Sequence, residues 1–101
     1  MAVEITLNEQ EQRYEAHVDG ERAGLAAFEL DAERIVFTHT EVDDRFEGQG
    51  IGSQLARHAL DDVRARGSLR VVPQCPFIRS WIEKHPDYAD LVHGALGSHT
   101  D

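Results

Sequence analysis

The 101-residue chain has one cysteine, three prolines and one tryptophan, no long apolar run and a shortage of positive charge. Each shortage excludes something. A lone thiol, Cys75, cannot close an internal disulfide, which suits a reducing compartment, so a cytoplasmic protein is expected. Apolar stretches are only a handful of residues long, and the N-terminus MAVEITLNEQ carries acid where a secretory signal needs a basic end, so neither a membrane partner nor a leader is expected. Ten basic side chains against 19 acidic ones leave a formal charge of -9. No basic run interleaved with aromatics offsets that charge locally, so nucleic acid is not an expected partner. Six histidines are present, but none stands in a His-x-x-His, His-Glu-x-x-His or Cys-x-x-Cys spacing, and no metal site is expected.

What is present reads as one compact α+β domain. With 41% hydrophobic and 29% charged residues, a chain of this length builds a single core. Residues 1–93 form the expected domain; 94–101 have too little apolar area to pack and read as a mobile tail. No repeat, linker or low-complexity tract interrupts the pattern. Val3, Ile5 and Leu7 alternate, as do Tyr14, Ala16 and Val18, and Asp19-Gly20 suits a tight hairpin before a return strand over 23–30. The β-branched run 35–42 predicts a central strand, with Ile35, Phe37, His39 and Glu41 on one face and Val36, Thr38, Thr40 and Val42 on the other. From Ile51 the apolar period lengthens through Leu55, Ala56, Ala59, Leu60 and Val63, and Gly67 stops the helix. A short strand over 69–72 follows. An antiparallel meander is therefore joined by a helical crossover to a further, parallel strand. A second helix starts at Pro76, ends before Pro86, and is expected to press Phe77 and Trp81 against the sheet.

The most informative segment is Glu47-Gly48-Gln49-Gly50-Ile51-Gly52, between the central strand and the long helix. Glycines there let the backbone turn tightly and approach a ligand, so that unpaired amides and the positive helix end meet an anion. No carboxylate sits in the helix's first turn to satisfy them. The Walker ending Gly-Lys-Ser/Thr is missing, and the dinucleotide fingerprint needs another glycine spacing.

Gln49 to Leu55 resembles the acetyl-CoA loop of the Gcn5-related N-acetyltransferases, Gln/Arg-x-x-Gly-x-Gly/Ala, with Gly50 and Gly52 as the paired small residues. Glu47 departs from the pattern, standing where the family commonly has Gln or Arg. Downstream, Val71-Val72-Pro73-Gln74-Cys75-Pro76-Phe77, then Trp81, His85-Pro86-Asp87-Tyr88 and Leu91, resemble a small cysteine-containing subfamily of minimal members of that fold. The resemblance implies that the strands ending near Val42 and Val72 splay apart. Acetyl-CoA, the implied cosubstrate, then lays its pantetheine in the cleft beside Val42 and rests its diphosphate on the amides of Gln49, Gly50, Ile51, Gly52 and Ser53. Arg45, Arg57 and Arg79 can add local positive charge.

The implied activity is acetyl transfer to an amine of a small molecule or peptide. Cys75, at a helix start where the dipole favours thiolate, either accepts the acetyl group, sits beside the thioester, or is simply a buried small residue. His39 and Glu41 are the candidate bases for the acceptor amine, though a strand leaving the core would carry the same pattern. His85, Tyr88 and Trp81 read as structural. The alternatives are a non-catalytic CoA or acyl-CoA binding module and an interaction domain that kept only the fold. A free sheet edge allows a monomer or a weak homodimer.

Overall fold

The computed structural model describes residues 3–67 and 69–92; the expected tail, 94–101, lies outside them. Five strands form one sheet in the order β1-β2-β3-β4-β5. They are β1 (Val3–Asn8), β2 (Arg13–Val18), β3 (Glu21–Leu30), β4 (Arg34–Val42) and β5 (Arg70–Pro73). The first four run antiparallel, and β5 pairs parallel to β4. Asp19 and Gly20 both take positive φ, +51° and +86°, as a two-residue hairpin turn requires. Helix α1 (Ile51–Arg66) connects β4 to β5, and α2 (Pro76–Lys84) and a 3-10 turn (Pro86–Leu91) follow. Gly67 ends α1 in the left-handed region, its N–H reaching the Val63 carbonyl. Among the described residues no helix is long and apolar enough to cross a membrane.

One cluster forms the core. Tyr14, Ala16, Ala26, Phe28, Ile35 and Phe37 from one sheet face meet Ile51, Leu55, Ala59, Leu60 and Val63 of α1 and Ile78, Trp81 and Ile82 of α2. The α1 residues are the three-and-four-spaced set read from the sequence. Phe77 is a correction: it is 42% exposed. Its ring lies against Gly52 at the front of α1, where a Cβ would meet Phe77 Cζ at 2.9 Å.

The faces of β4 are a second correction. Ala27 pairs with His39 but Phe28 pairs with Phe37, so Thr38 is an extra, unpaired residue. Such a bulge reverses the alternation beyond it. Thr40, opposite the fully buried Ala26, and Val42, opposite Gly24, therefore share the helix-covered face with Ile35 and Phe37. His39 and Glu41 are turned to the other face and are exposed. Strict period-two counting cannot register an inserted residue.

Candidate active site

The site begins where β4 ends. The Asp43 side chain accepts from the Arg45 N–H at 2.9 Å and opens a 3-10 turn over Asp44–Phe46. That backbone hydrogen bond, joined by the Arg45 side chain, holds the Asp43 carboxyl below its ordinary value. The loop Glu47–Gly50 is exposed. Gly48 and Gly50 have φ of +84° and +77°, a region that a side chain would strain. Gly50 is the N-cap of α1. It has no side chain to offer the first amides, and no acidic residue stands in the first turn. The amides of Ile51, Gly52 and Ser53 thus lie at the positive end of a 16-residue helix without a side-chain cap. Gln49 is exposed beside them, and Val42 is half-buried at the strand end.

This turn is anchored by Gly24 of β3. A Cβ there would fall 2.6 Å from the Glu41 carbonyl oxygen and 3.3 Å from both Ile51 Cγ2 and Leu55 Cδ1. The first turn of α1 seats directly on the sheet because position 24 has no side chain. The sequence reading missed this residue; a glycine inside a strand pattern is the signal that marks such a close approach.

The second part is a gap between strands. β4 and β5 pair from Arg34 with Arg70 to Phe37 with Pro73, and no further. Gln74 then turns back, its N–H reaching the Val72 carbonyl, and the Cys75 N–H donates to the Phe37 carbonyl at 2.8 Å. Beyond Phe37 the described strands give β4 one ladder partner, β3. Among the described residues no strand pairs with the β5-facing main chain of residues 38–42, which leaves backbone of the kind an extended ligand can use.

Cys75 is the N-cap of α2 and is 3% exposed. Its Sγ lies 3.2 Å from Thr40 Oγ1, on the helix-covered side of the gap. His39 Nε2 lies 2.6 Å from Glu41 Oε2 on the exposed face. The structure therefore brings His39 and Glu41 together, and places Cys75 with Thr40 on the other face of the same strand. Thr40 was not singled out from sequence, because the bulge that turns it toward Cys75 left no signal in the pattern.

The cations are largely engaged. Arg45 pairs with Asp43 and Glu21, and Arg79 donates to the Pro73 and Gln74 carbonyls, bracing the β5–α2 turn. Arg57 lies over the Trp81 ring and reaches the Tyr88 hydroxyl at 3.4 Å. Trp81 and Tyr88 are buried as structural residues, with Tyr88 donating to Asp61 at 2.7 Å. His85 ends α2 and stacks on Trp81. A mostly apolar pocket of about 250 Å3, lined by Leu7, Tyr14, Phe28, Leu30, Ile35 and Leu69 together with the charged Glu9 and Arg66, lies beside the last turn of α1, at the end of the helix away from the glycine loop.

Comparison with known proteins bears on the family and the fold. A family model described as GCN5-related N-acetyl-transferase matches residues 13–91. Protein NATD1 of Mus musculus is 31% identical over 87 residues, which are 83% of this chain and 77% of that protein. The solution structure of a GCN5-like protein from Staphylococcus aureus superposes with a TM-score of 0.69 at 25% identity, covering 90% of this chain and 88% of that one. The N-acetylglutamate synthase of Neisseria gonorrhoeae, solved with coenzyme A and N-acetyl-glutamate, shares the fold with a TM-score of 0.60 at 21% identity; the match covers 80% of this chain and 22% of that one.

Proposed function

The chain belongs to the GCN5-related N-acetyltransferases, and on that premise we propose that it transfers an acetyl group from acetyl-CoA to the amine of a small molecule or peptide. The observation that carries this reading is the alignment of two features. The β4–β5 ladder stops at Phe37 and Pro73, and an uncapped helix front with two left-handed glycines lies just beyond the end of β4. These residues fit coenzyme A. The amides from Gln49 to Ser53 would hold its diphosphate, and the exposed main chain of β4 as far as Val42 would pair with its pantetheine arm. Because such binding is mostly a main-chain matter, a protein of charge -9 can still hold an anion. Bound acetyl-CoA would supply an activated acetyl group: the amine nitrogen bonds to the acetyl carbon as the thioester C–S bond breaks, and CoA leaves as a thiolate that takes a proton from solvent.

The chain's own side chains orient the acceptor and take its proton. With the His39 Nε2–H donated to Glu41, Nδ1 carries the free lone pair that accepts a proton from the attacking amine. Glu41 fixes the ring and stabilises the imidazolium. The acceptor enters from the exposed sheet face, where a cationic amine is favoured by the acidic surface. Cys75 lies by Thr40 on the opposite side of the gap, where it would stand beside the thioester rather than beside the base. A free thiol there suits a reducing cytoplasm.

The test pairs calorimetric titration of CoA with incubation in acetyl-CoA, an amine panel and intact mass measurement. Binding, turnover of an amine and no adduct on Cys75 are expected. Absence of CoA binding would overturn the reading. Binding without turnover of any amine would favour a passive CoA module, and an acetyl adduct on Cys75 would replace direct transfer with a covalent route.

A further inference from the structure

We propose that Trp81 is a positioning residue for the cosubstrate, aiming the hydroxyl proton of Ser53 at the diphosphate; this rests on the function proposed above. Ser53 is the third residue of α1, in the turn whose amides lack a side-chain cap. The Trp81 Nε1–H donates to Ser53 Oγ at 2.8 Å. An indole nitrogen can only donate, whereas a hydroxyl both donates and accepts. The indole therefore takes an acceptor site of Oγ and leaves its proton for another partner. Among the described residues that proton has none, since the bond from Trp81 is the one hydrogen bond the Ser53 side chain makes.

The indole is held where it is. It is 5% exposed, stacks on His85 at 3.8 Å and 13°, meets Tyr88 edge-on at 5.1 Å, and has Arg57 over its ring at 5.4 Å. His85 Nδ1 lies 2.7 Å from the Trp81 carbonyl oxygen, fixing the backbone of the same residue. A donor so confined pre-orients the hydroxyl before any ligand arrives, which reduces what binding must order. A hydroxyl donating to an ionised oxygen makes the stronger class of hydrogen bond. Trp81 thus acts on the ligand through Ser53 and touches no reacting atom.

The chain has a single tryptophan, so one indole 15N–H resonance reports on this bond in the wild-type protein. Titration with CoA and with dephospho-CoA, which keep the diphosphate, is expected to shift that resonance, and pantetheine, which lacks it, is not. Trp81→Phe keeps the stacked ring and is expected to weaken both diphosphate ligands about five- to tenfold while leaving pantetheine binding unchanged. Ser53→Ala should do the same, Trp81→Phe should add nothing in the Ser53→Ala background, and Ser53→Thr should preserve affinity. An indole signal unmoved by bound CoA, equal losses for all three ligands, or additive losses in the double variant would overturn the role of Trp81 alone. If wild-type protein binds no CoA, the function proposed above falls as well. The NMR titration and the Ser53 variants decide the matter even if Trp81→Phe does not fold.

Discussion

The Cα of Gly24 faces the carbonyl oxygen of Glu41 so closely that a methyl group on it would stand 2.6 Å from that oxygen. The obstructing atom is backbone, and the next two neighbours belong to Ile51 and Leu55, both buried in the core. None of the three can swing aside. Gly24→Ala is expected to cost about 2 kcal/mol, within the range for overpacking, and to lower Tm by roughly 10 °C for a domain of this size. Thermal and urea denaturation measure it. An unchanged midpoint would mean that α1 does not seat on β3 as described.

Gly50 and Gly52 are required for different reasons, and their alanine variants separate them. Gly50 has open space around it but a φ of +77°, so Gly50→Ala is expected to cost about 1 kcal/mol in backbone strain, and Gly50→Asn less, since asparagine tolerates that region. Gly52→Ala meets the tip of the exposed Phe77 ring. Its cost should be below about 1 kcal/mol because the ring can yield, and it should vanish in a Phe77→Ala background. A denaturation double-mutant cycle tests the pair.

Tyr14 links β2 to α1, its hydroxyl donating to Asp62 Oδ2 at 2.7 Å. Burial, then the Asp62 bond, push the tyrosine well above its ordinary value of 10.0. The folded state holds that proton more tightly than the unfolded chain, so the stabilisation is whole below about 10 and fades as pH rises further. Burial opposes ionisation of Asp62, but the donors Tyr14 and Arg66 outweigh it and hold the carboxyl below 3.8. That contribution is whole above 3.8 and disappears as pH falls through the lower folded value. Tyr14→Phe keeps the ring packed against Phe28, is expected to cost about 1.5 kcal/mol near neutrality, and should reduce the alkaline decline in stability seen in urea titrations at rising pH, leaving the part due to Tyr88, which its bond to Asp61 also raises.

His39 and Glu41 form an exposed pair, with side chains 57% and 63% accessible. Exposed pairs of this kind contribute little to folding, so His39→Ala and Glu41→Ala should leave Tm within about 2 °C of wild type. If His39 takes the proton of the acceptor amine, His39→Ala should lower turnover about a hundredfold with CoA affinity unchanged. Full turnover in both variants would remove the pair from the chemistry.

Much of this molecule was legible in its residues, and where legibility failed the reason is local. The hairpin at Asp19-Gly20, the apolar stripe from Ile51 to Val63 and its stop at Gly67 follow from short-range rules, because turn geometry and helical period are set by neighbours a few positions apart. The glycine loop was equally visible, since the conformation that Gly48 and Gly50 adopt is one that other residues resist. The faces of β4 were not visible. One extra residue at Thr38 reversed them, which moved His39 and Glu41 to the open side and turned Thr40 toward Cys75. Phe77 was misplaced for a related reason: helical spacing groups it with Trp81, but only the approach of α1 decides which of the two rings is covered.

By itself, then, the sequence determined the order and kind of elements, the shared family, and the helix front that suits an anion. Tertiary structure decided which side chains meet there. The β4–β5 register, the seat of α1 on Gly24 and the reach of Trp81 to Ser53 join residues 27 to 36 positions apart. Such contacts are fixed by how whole elements pack; a glycine within a strand marks that something comes close there, but not which element does.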